Sequence, residues 1–194
     1  MRGLGFEVTS NEYSAYMNVA YRYIARLTMK NAEEFSPFVD GWSHQPTTKE
    51  LFRSVSYPDL LPPPDGILHV EGDFTTAFHH TAKFDVVITL FFIDTATNLL
   101  KYFYTIRNVL KAGGIWINLG PLLYGTRAMV ELSLDEVVDV VEAIGFEFLE
   151  TDERWGNLTL PGKMVRGKEA RYGLSPRVLT KNSYMAQFWV VRRE

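Results

Sequence analysis

Between Phe84 and Ile93 the chain reads FDVVITLFFI, an apolar run interrupted only by Asp85 and Thr89. A strand without a polar face must be covered on both sides, as happens inside a parallel sheet layered between helices. The next elements of the chain keep to that plan. Residues 95–110 read as a helix, ending in a basic turn and glycine at Lys111-Ala112-Gly113-Gly114. Ile115–Leu119 is a second buried strand. Ser133, with Glu136 three residues on, forms a capping box that opens a helix over 133–144, and Gly145 closes it. Phe146–Leu149 starts another strand, and Tyr184–Arg192 (YMAQFWVVR) is the last. Strands alternating with helices predict an α/β fold with a mostly parallel sheet and helices on both faces.

The N-terminal part is less regular. Gly3–Thr9 reads as a turn and a short strand. Ser10 or Asn11 then caps a helix over 11–29, with Glu12 in its first turn. Tyr13, Tyr16, Met17, Ala20, Tyr21, Ile24 and Leu27 recur at helical spacing and predict a core-facing stripe. Residues 31–66 hold Pro37, Pro46, Pro58 and Pro62-Pro63-Pro64 with little periodicity. They read as a lid-like surface excursion with one short helix near Lys49–Phe52. Ile67–Val70 is a short strand. A polar insertion over 156–183 carries Lys163, Arg166, Lys168, Arg171, Arg177 and Lys181, and reads as a solvated loop rather than an anion-binding patch. With 194 residues, the chain is read as one domain, 1–194.

Several classes of function fall away. A net charge of −3 offers no basic field for nucleic acid. No apolar run approaches the roughly 20 residues of a membrane-spanning helix, and no signal-peptide pattern opens the chain. Cysteine is absent, which removes thiolate metal sites and a cysteine nucleophile and suits a reducing compartment. His44, His69, His79 and His80 lack zinc-ligand spacing, so no metal is predicted. Gly-x-Gly-x-x-Gly, Walker-lysine and serine-elbow motifs are missing too.

Ligands of open α/β sheets sit at the C-terminal ends of strands, and four places there carry useful chemistry. Glu12 could accept both hydroxyls of a ribose, or act only at a helix start. In Gly72-Asp73-Phe74, the Asp could accept from an adenine amino group while the Phe stacks on the ring, or the Asp could simply cap a helix. Asp94 ends the apolar run and needs a partner, a ligand or the next helix. Asn118-Leu119-Gly120-Pro121-Leu122-Leu123-Tyr124 closes the following strand, with Gly120 allowing close backbone approach. A site without metal, cysteine or triad suits transfer of a group already activated on its cofactor.

The strings Asn11-Glu12-Tyr13-Ser14, Gly72-Asp73-Phe74, FFIDTA (91–96) and GGIWINLGPLLY (113–124) resemble the carnosine N-methyltransferase, or N2227-like, family of class I S-adenosylmethionine-dependent methyltransferases. Trp42-Ser43-His44 falls on a similar Trp-x-His stretch. The resemblance covers nearly the whole chain apart from 156–183. It implies a Rossmann-like fold with an antiparallel last strand, and a methyltransferase acting on the imidazole of a small histidine-containing peptide. By the same resemblance Glu12, Asp73, Phe74 and Leu90 bind S-adenosyl-L-methionine. Asp94 contacts the substrate imidazole as the catalytic group, and Tyr184 contacts the substrate. A cytoplasmic protein, with the nucleus as a second compartment, and a homodimer are also expected.

Two departures stand out. The place after Tyr124, a substrate-binding histidine in the family, is Gly125 here. Family members also carry a first strand and a Gly-rich loop ahead of the strand at Phe6, so this chain is expected to be an N-terminally truncated domain with the first strand missing. The alternative function is a methyltransferase-like binding module without catalysis.

Overall fold

The computed structural model describes residues 5–61, 67–78, 82–173, 175 and 177–194. Two compact units emerge from a chain read as one domain: Met1–Ala77 with Gly173–Lys181, and Phe78–Tyr172 with Asn182–Glu194.

In the first unit, β1 (Val8–Glu12) leads to α1 (Ala15–Ile24). The strand begins later than expected and runs through Glu12, because Ser14 caps the helix, accepting from the Met17 amide. Ser10 and Asn11 are therefore strand residues, not caps. The core-stripe expectation for α1 holds only in part: Tyr16 is 90% exposed and Tyr13 and Met17 are exposed as well, whereas Tyr21, Ile24 and Leu27 are half-buried. The buried residue of the helix is Asn18, whose Oδ1 lies 2.8 Å from His69 Nε2, and Tyr21 stacks on the His69 ring at 4.2 Å. The excursion contains β2 (Glu33–Phe35), α2 (Thr48–Leu51) and β3 (Val55–Tyr57), with β2 and β3 pairing antiparallel. The short helix stands where the sequence placed it. β4 (Ile67–Glu71) pairs parallel with β1, Glu12 opposite Glu71, and α3 (Phe74–Ala77) comes next. The Pro62-Pro63-Pro64 run and His79-His80 lie outside the described residues.

The second unit holds the large core. It is built from β5 (Phe84–Leu90), α4 (Leu99–Val109), β6 (Leu110–Gly120), α5 (Leu134–Ala143), β7 (Phe146–Phe148), β8 (Asn157–Leu158), β9 (Arg166–Arg171) and β10 (Ser183–Arg193). The sheet order is β5-β6-β10-β9-β8, with β7 also on β10. β5 and β6 are parallel, and β10 is antiparallel to β6, β7 and β9. Leu99, Phe103, Ile106 and Val109 give α4 one buried face, as Val137, Val138 and Val141 do for α5. Phe103, Phe146 and Trp189 surround the fully buried Trp116 with ring centroids 5.6–5.7 Å away. Each such side chain stabilises the fold by roughly 1.5–3 kcal/mol of apolar burial. The Ser133–Glu136 capping box opens α5 as expected.

Three local expectations are corrected here. Among the described residues β5 is the terminal strand of the six-stranded sheet, and its apolar run is not covered on both faces: Ile88 is 48% and Leu90 63% exposed. The Lys111–Gly114 segment is not a helix end, because β6 already starts at Leu110. The 156–183 insertion is not a loop throughout, since it supplies β8 and β9. Its Arg166 is buried, with the guanidinium donating to the carbonyls of Thr151 and Gly156. Lys163 pairs with Glu142 at 2.7 Å and Arg177 with Glu50 at 3.2 Å, so these cations have structural partners.

Candidate active site

The first unit gathers Glu12, Asp73 and Phe74 where β1 and β4 end together. The amide of Gly72 donates to the Glu12 carbonyl at 2.9 Å, and Asn11 Nδ2 donates to the carbonyls of Val70 and Gly72. These bonds lock the two strand ends in register. Glu12 is half-buried, and its Oε1 accepts the Ser14 amide at 2.7 Å. Asp73 Oδ1 accepts from the amide and hydroxyl of Thr75, the geometry of a cap on the short helix that Phe74 begins. Two carboxylates at the C-terminal ends of adjacent parallel strands match where nucleotides bind in α/β folds. As a set of acceptors they fit a nucleoside, whose hydroxyls and amino group donate.

The second unit holds Leu90, Asp94 and Tyr184. Leu90 is the last residue of β5, opposite Leu119. Phe91 then turns the chain with a positive φ of 50°, a conformation that a bulky residue adopts at a cost of about 1–3 kcal/mol. Its amide donates to the Leu119 carbonyl at 2.8 Å. Gly120 makes this turn possible, since a Cβ there would come within 3.1 Å of the Phe91 backbone. The sequence pointed to close approach at Gly120, and the approaching backbone is that of Phe91.

Asp94 lies in the short 3-10 turn Ile93–Thr95 and is only 6% exposed. Its Oδ2 accepts the Leu123 amide at 3.1 Å, which ties FFIDTA to GPLLY. Burial raises its carboxyl above the ordinary range, against the lowering pull of the Leu123 and Asp94 amides. The helix-cap alternative for Asp94 is excluded, because α4 is capped by Asn98, which accepts from the Lys101 amide. Tyr124 donates its hydroxyl to the Leu132 carbonyl at 2.7 Å, and burial, reinforced by the charge of Asp94, raises its phenol.

Tyr184 meets the ring of Phe91 edge-on at 6.1 Å. Tyr172, just past the end of β9, completes the group, 5.3 Å from Tyr184 and stacked on Phe91 at 5.8 Å. Beneath the strand ends runs a buried polar chain. Trp116 Nε1 donates to Thr89 Oγ1, Thr89 donates to Asn118 Oδ1, and Asn118 Nδ2 donates to the Gln187 carbonyl. It cross-links β5, β6 and β10, the strands that carry Leu90, Gly120 and Tyr184. Sequence reasoning missed Phe91, Tyr172 and Thr89. The readable signal was a polar Thr89 inside an otherwise apolar strand.

Comparison with known proteins settles the family. The carnosine N-methyltransferase family model matches residues 1–194. The chain belongs to this family. The mouse carnosine N-methyltransferase is 34% identical over 154 residues, 74% of this chain and 38% of the mouse protein. The Schizosaccharomyces pombe carnosine N-methyltransferase is 34% identical over 170 residues, 75% and 45% of the two chains. The Drosophila melanogaster relative is 28% identical over 200 residues, covering 98% of this chain and 41% of its own. This family member therefore spans about two fifths of the length of these relatives. Among solved structures, an S-adenosylmethionine-dependent methyltransferase from Methanosarcina mazei aligns over 96% of this chain and 81% of its own, with TM-score 0.57 and 13% identity. That likeness shows the Rossmann-like methyltransferase fold. No helix among the described residues is long and apolar enough to cross a membrane.

Proposed function

We propose that this chain carries out S-adenosylmethionine-dependent N-methylation of the imidazole in a small histidine-containing substrate such as carnosine. The observation that carries the reading is Asp94, a nearly wholly buried carboxylate in the turn that follows parallel strand β5; it caps no α-helix. A buried carboxylate that helix capping does not explain, its pKa raised by burial, supports a functional role. The family match over the whole chain supports the reaction class.

S-adenosylmethionine supplies a methyl group already activated on a sulfonium. Glu12 would hold the ribose hydroxyls, Asp73 and Phe74 would hold the adenine, and Leu90 would offer the cofactor an apolar surface. Asp94 accepts the N–H of one imidazole nitrogen and so fixes the neutral tautomer, which leaves the lone pair of the other nitrogen free to attack. The same carboxylate would stabilise the positive charge that grows on the ring as the new N–C bond forms and the sulfonium S–C bond breaks, leaving a neutral thioether. Tyr184 holds the substrate, and holding the reactants in line is itself a large part of the rate.

Calorimetric titration with S-adenosylmethionine tests the binding half. Micromolar binding by the chain is expected, weakened by roughly 1.5–3 kcal/mol in Glu12→Ala, the range for a charge-assisted hydrogen bond. Unchanged affinity in Glu12→Ala would reduce Glu12 to its bond with Ser14. No binding by the wild-type chain would favour the non-catalytic binding module.

A further inference from the structure

The sequence contains two Ser-Pro pairs, Ser36-Pro37 and Ser175-Pro176, and no Thr-Pro. Their surroundings are opposite. Ser36 donates its hydroxyl to the Phe52 carbonyl at 3.4 Å, and Glu33 and Glu34 precede it. Ser175, in the connection between β9 and β10, is met by donors. Arg53 Nη2 donates to its Oγ at 3.0 Å, and the Arg177 amide donates to the same oxygen at 3.2 Å. Arg53 is held from two further sides. Its Nη1 lies 3.5 Å from Glu50 Oε2, and its guanidinium lies over the ring of the buried Phe38, 3.7 Å from the centroid. Arg177 shares Glu50, with Nη1 3.2 Å from both carboxylate oxygens, and its side chain is 62% exposed. Two guanidiniums against one carboxylate leave net positive charge beside a half-buried hydroxyl that the chemistry above does not use. A phosphoryl group brings close to two negative charges and three acceptor oxygens, the complement of such an arginine pair.

We propose that Ser175 is a phosphorylation site for a proline-directed Ser/Thr kinase, with Arg53 and Arg177 as the receptor for the phosphate. In the transfer, Ser175 Oγ forms a bond to the γ-phosphorus of ATP. The bond from that phosphorus to the bridging oxygen of the departing ADP breaks, and the hydroxyl proton goes to the base of the kinase. Arg53 then donates through Nη2 to a phosphate oxygen and stays on Glu50 through Nη1, while the exposed Arg177 turns to the phosphate. The modified segment is thereby fastened to Arg53, just after α2. The inference does not depend on the methyltransferase reading.

The test incubates the full chain with ATP and a purified proline-directed kinase and maps the modified residue by tandem mass spectrometry. Phosphate is expected at Ser175. The modified chain is then titrated with acid and followed by phosphorus NMR, beside a phosphorylated peptide of residues 170–182. In the peptide the phosphate should pass from dianion to monoanion at about pH 6. In the folded chain the paired guanidiniums favour the dianion and should lower that midpoint by about 0.5–1 pH unit. Arg53→Gln should return it most of the way to the peptide's value. Arg53→Lys, which keeps the charge but not the planar guanidinium, should retain part of the lowering. Phosphate at Ser36 only, or at neither serine, would overturn the proposal. So would a Ser175 phosphate that titrates in the folded chain as it does in the peptide, a comparison that needs no variant, or a lowered midpoint that both Arg53 variants leave unchanged.

Discussion

Replacing Asp94 by Asn separates function from stability in opposite directions. Asn keeps the shape and can still accept the Leu123 amide now held at 3.1 Å by Oδ2. It loses the charge, and its amide can donate where an imidazole N–H needs an acceptor. With the substrate in the wrong tautomer and no counter-ion for the developing charge, turnover should fall by about 10²- to 10³-fold, or about 2.7–4 kcal/mol. Stability should change the other way. Burial raises the folded-state pKa of Asp94 above its unfolded value, so folding favours the protonated form. The associated stability is fully present below the unfolded pKa and is lost as pH rises through the folded one. At pH 7 the ionised carboxylate is therefore a net cost. Exchanging a charged hydrogen bond for a neutral one forfeits about 1 kcal/mol, whereas releasing a buried charge recovers up to several kcal/mol. Thermal melting of Asp94→Asn at pH 7 should thus rise by a few degrees, at roughly 2–4 °C per kcal/mol for a chain of this size. The gain should shrink as the pH is lowered toward about 4. Methyl transfer to carnosine and related dipeptides, with melting curves across pH, checks both halves. Full activity in Asp94→Asn, or a lower melting temperature at pH 7, would refute the reasoning.

Other substitutions probe the scaffold around the site. Gly120→Ala places a Cβ 3.1 Å from the Phe91 backbone and should cost about 1–3 kcal/mol, read as a lower denaturation midpoint. Thr89→Val removes both the acceptor for Trp116 Nε1 and the donor to Asn118 Oδ1; each orphaned group should cost about 1–3 kcal/mol, and Thr89→Ser should restore most of it. Gly125→His has open space around its new Cβ, so it should fold normally and lower the KM for carnosine in steady-state assays.

Much of this arrangement was legible from side-chain pattern. The Ser133–Glu136 box declared α5, and Gly145, at a φ of 87°, ends it. The strands at Phe146 and Tyr184 were written in alternating and continuous apolar runs. Asp94 was visible as a carboxylate closing an apolar strand. What escaped has a common physical origin: burial depends on neighbours that a local pattern does not specify. FDVVITLFFI has the composition of a central strand, yet among the described residues β5 ends the six-stranded sheet and the run leaves the strand at Phe91. The aromatic stripe of α1 has the spacing of a core face, yet of its aromatics Tyr13 and Tyr16 stay exposed, Tyr21 stacks on His69, and the buried residue is Asn18, outside the stripe. Tyr172 lay in a polar insertion with no periodic cue, and only the pairing of β9 with β10 brings it to Tyr184.

Methyl transfer from labelled S-adenosylmethionine to carnosine by the 194-residue chain, with the product mapped by NMR, tests the proposed reaction most directly. The expected result is one new methyl group on an imidazole nitrogen, formed by the wild-type chain and reduced about 10²-fold or more in Asp94→Asn. A methyl group placed elsewhere on the dipeptide, or no transfer to carnosine or to any other histidine-containing peptide, would contradict it.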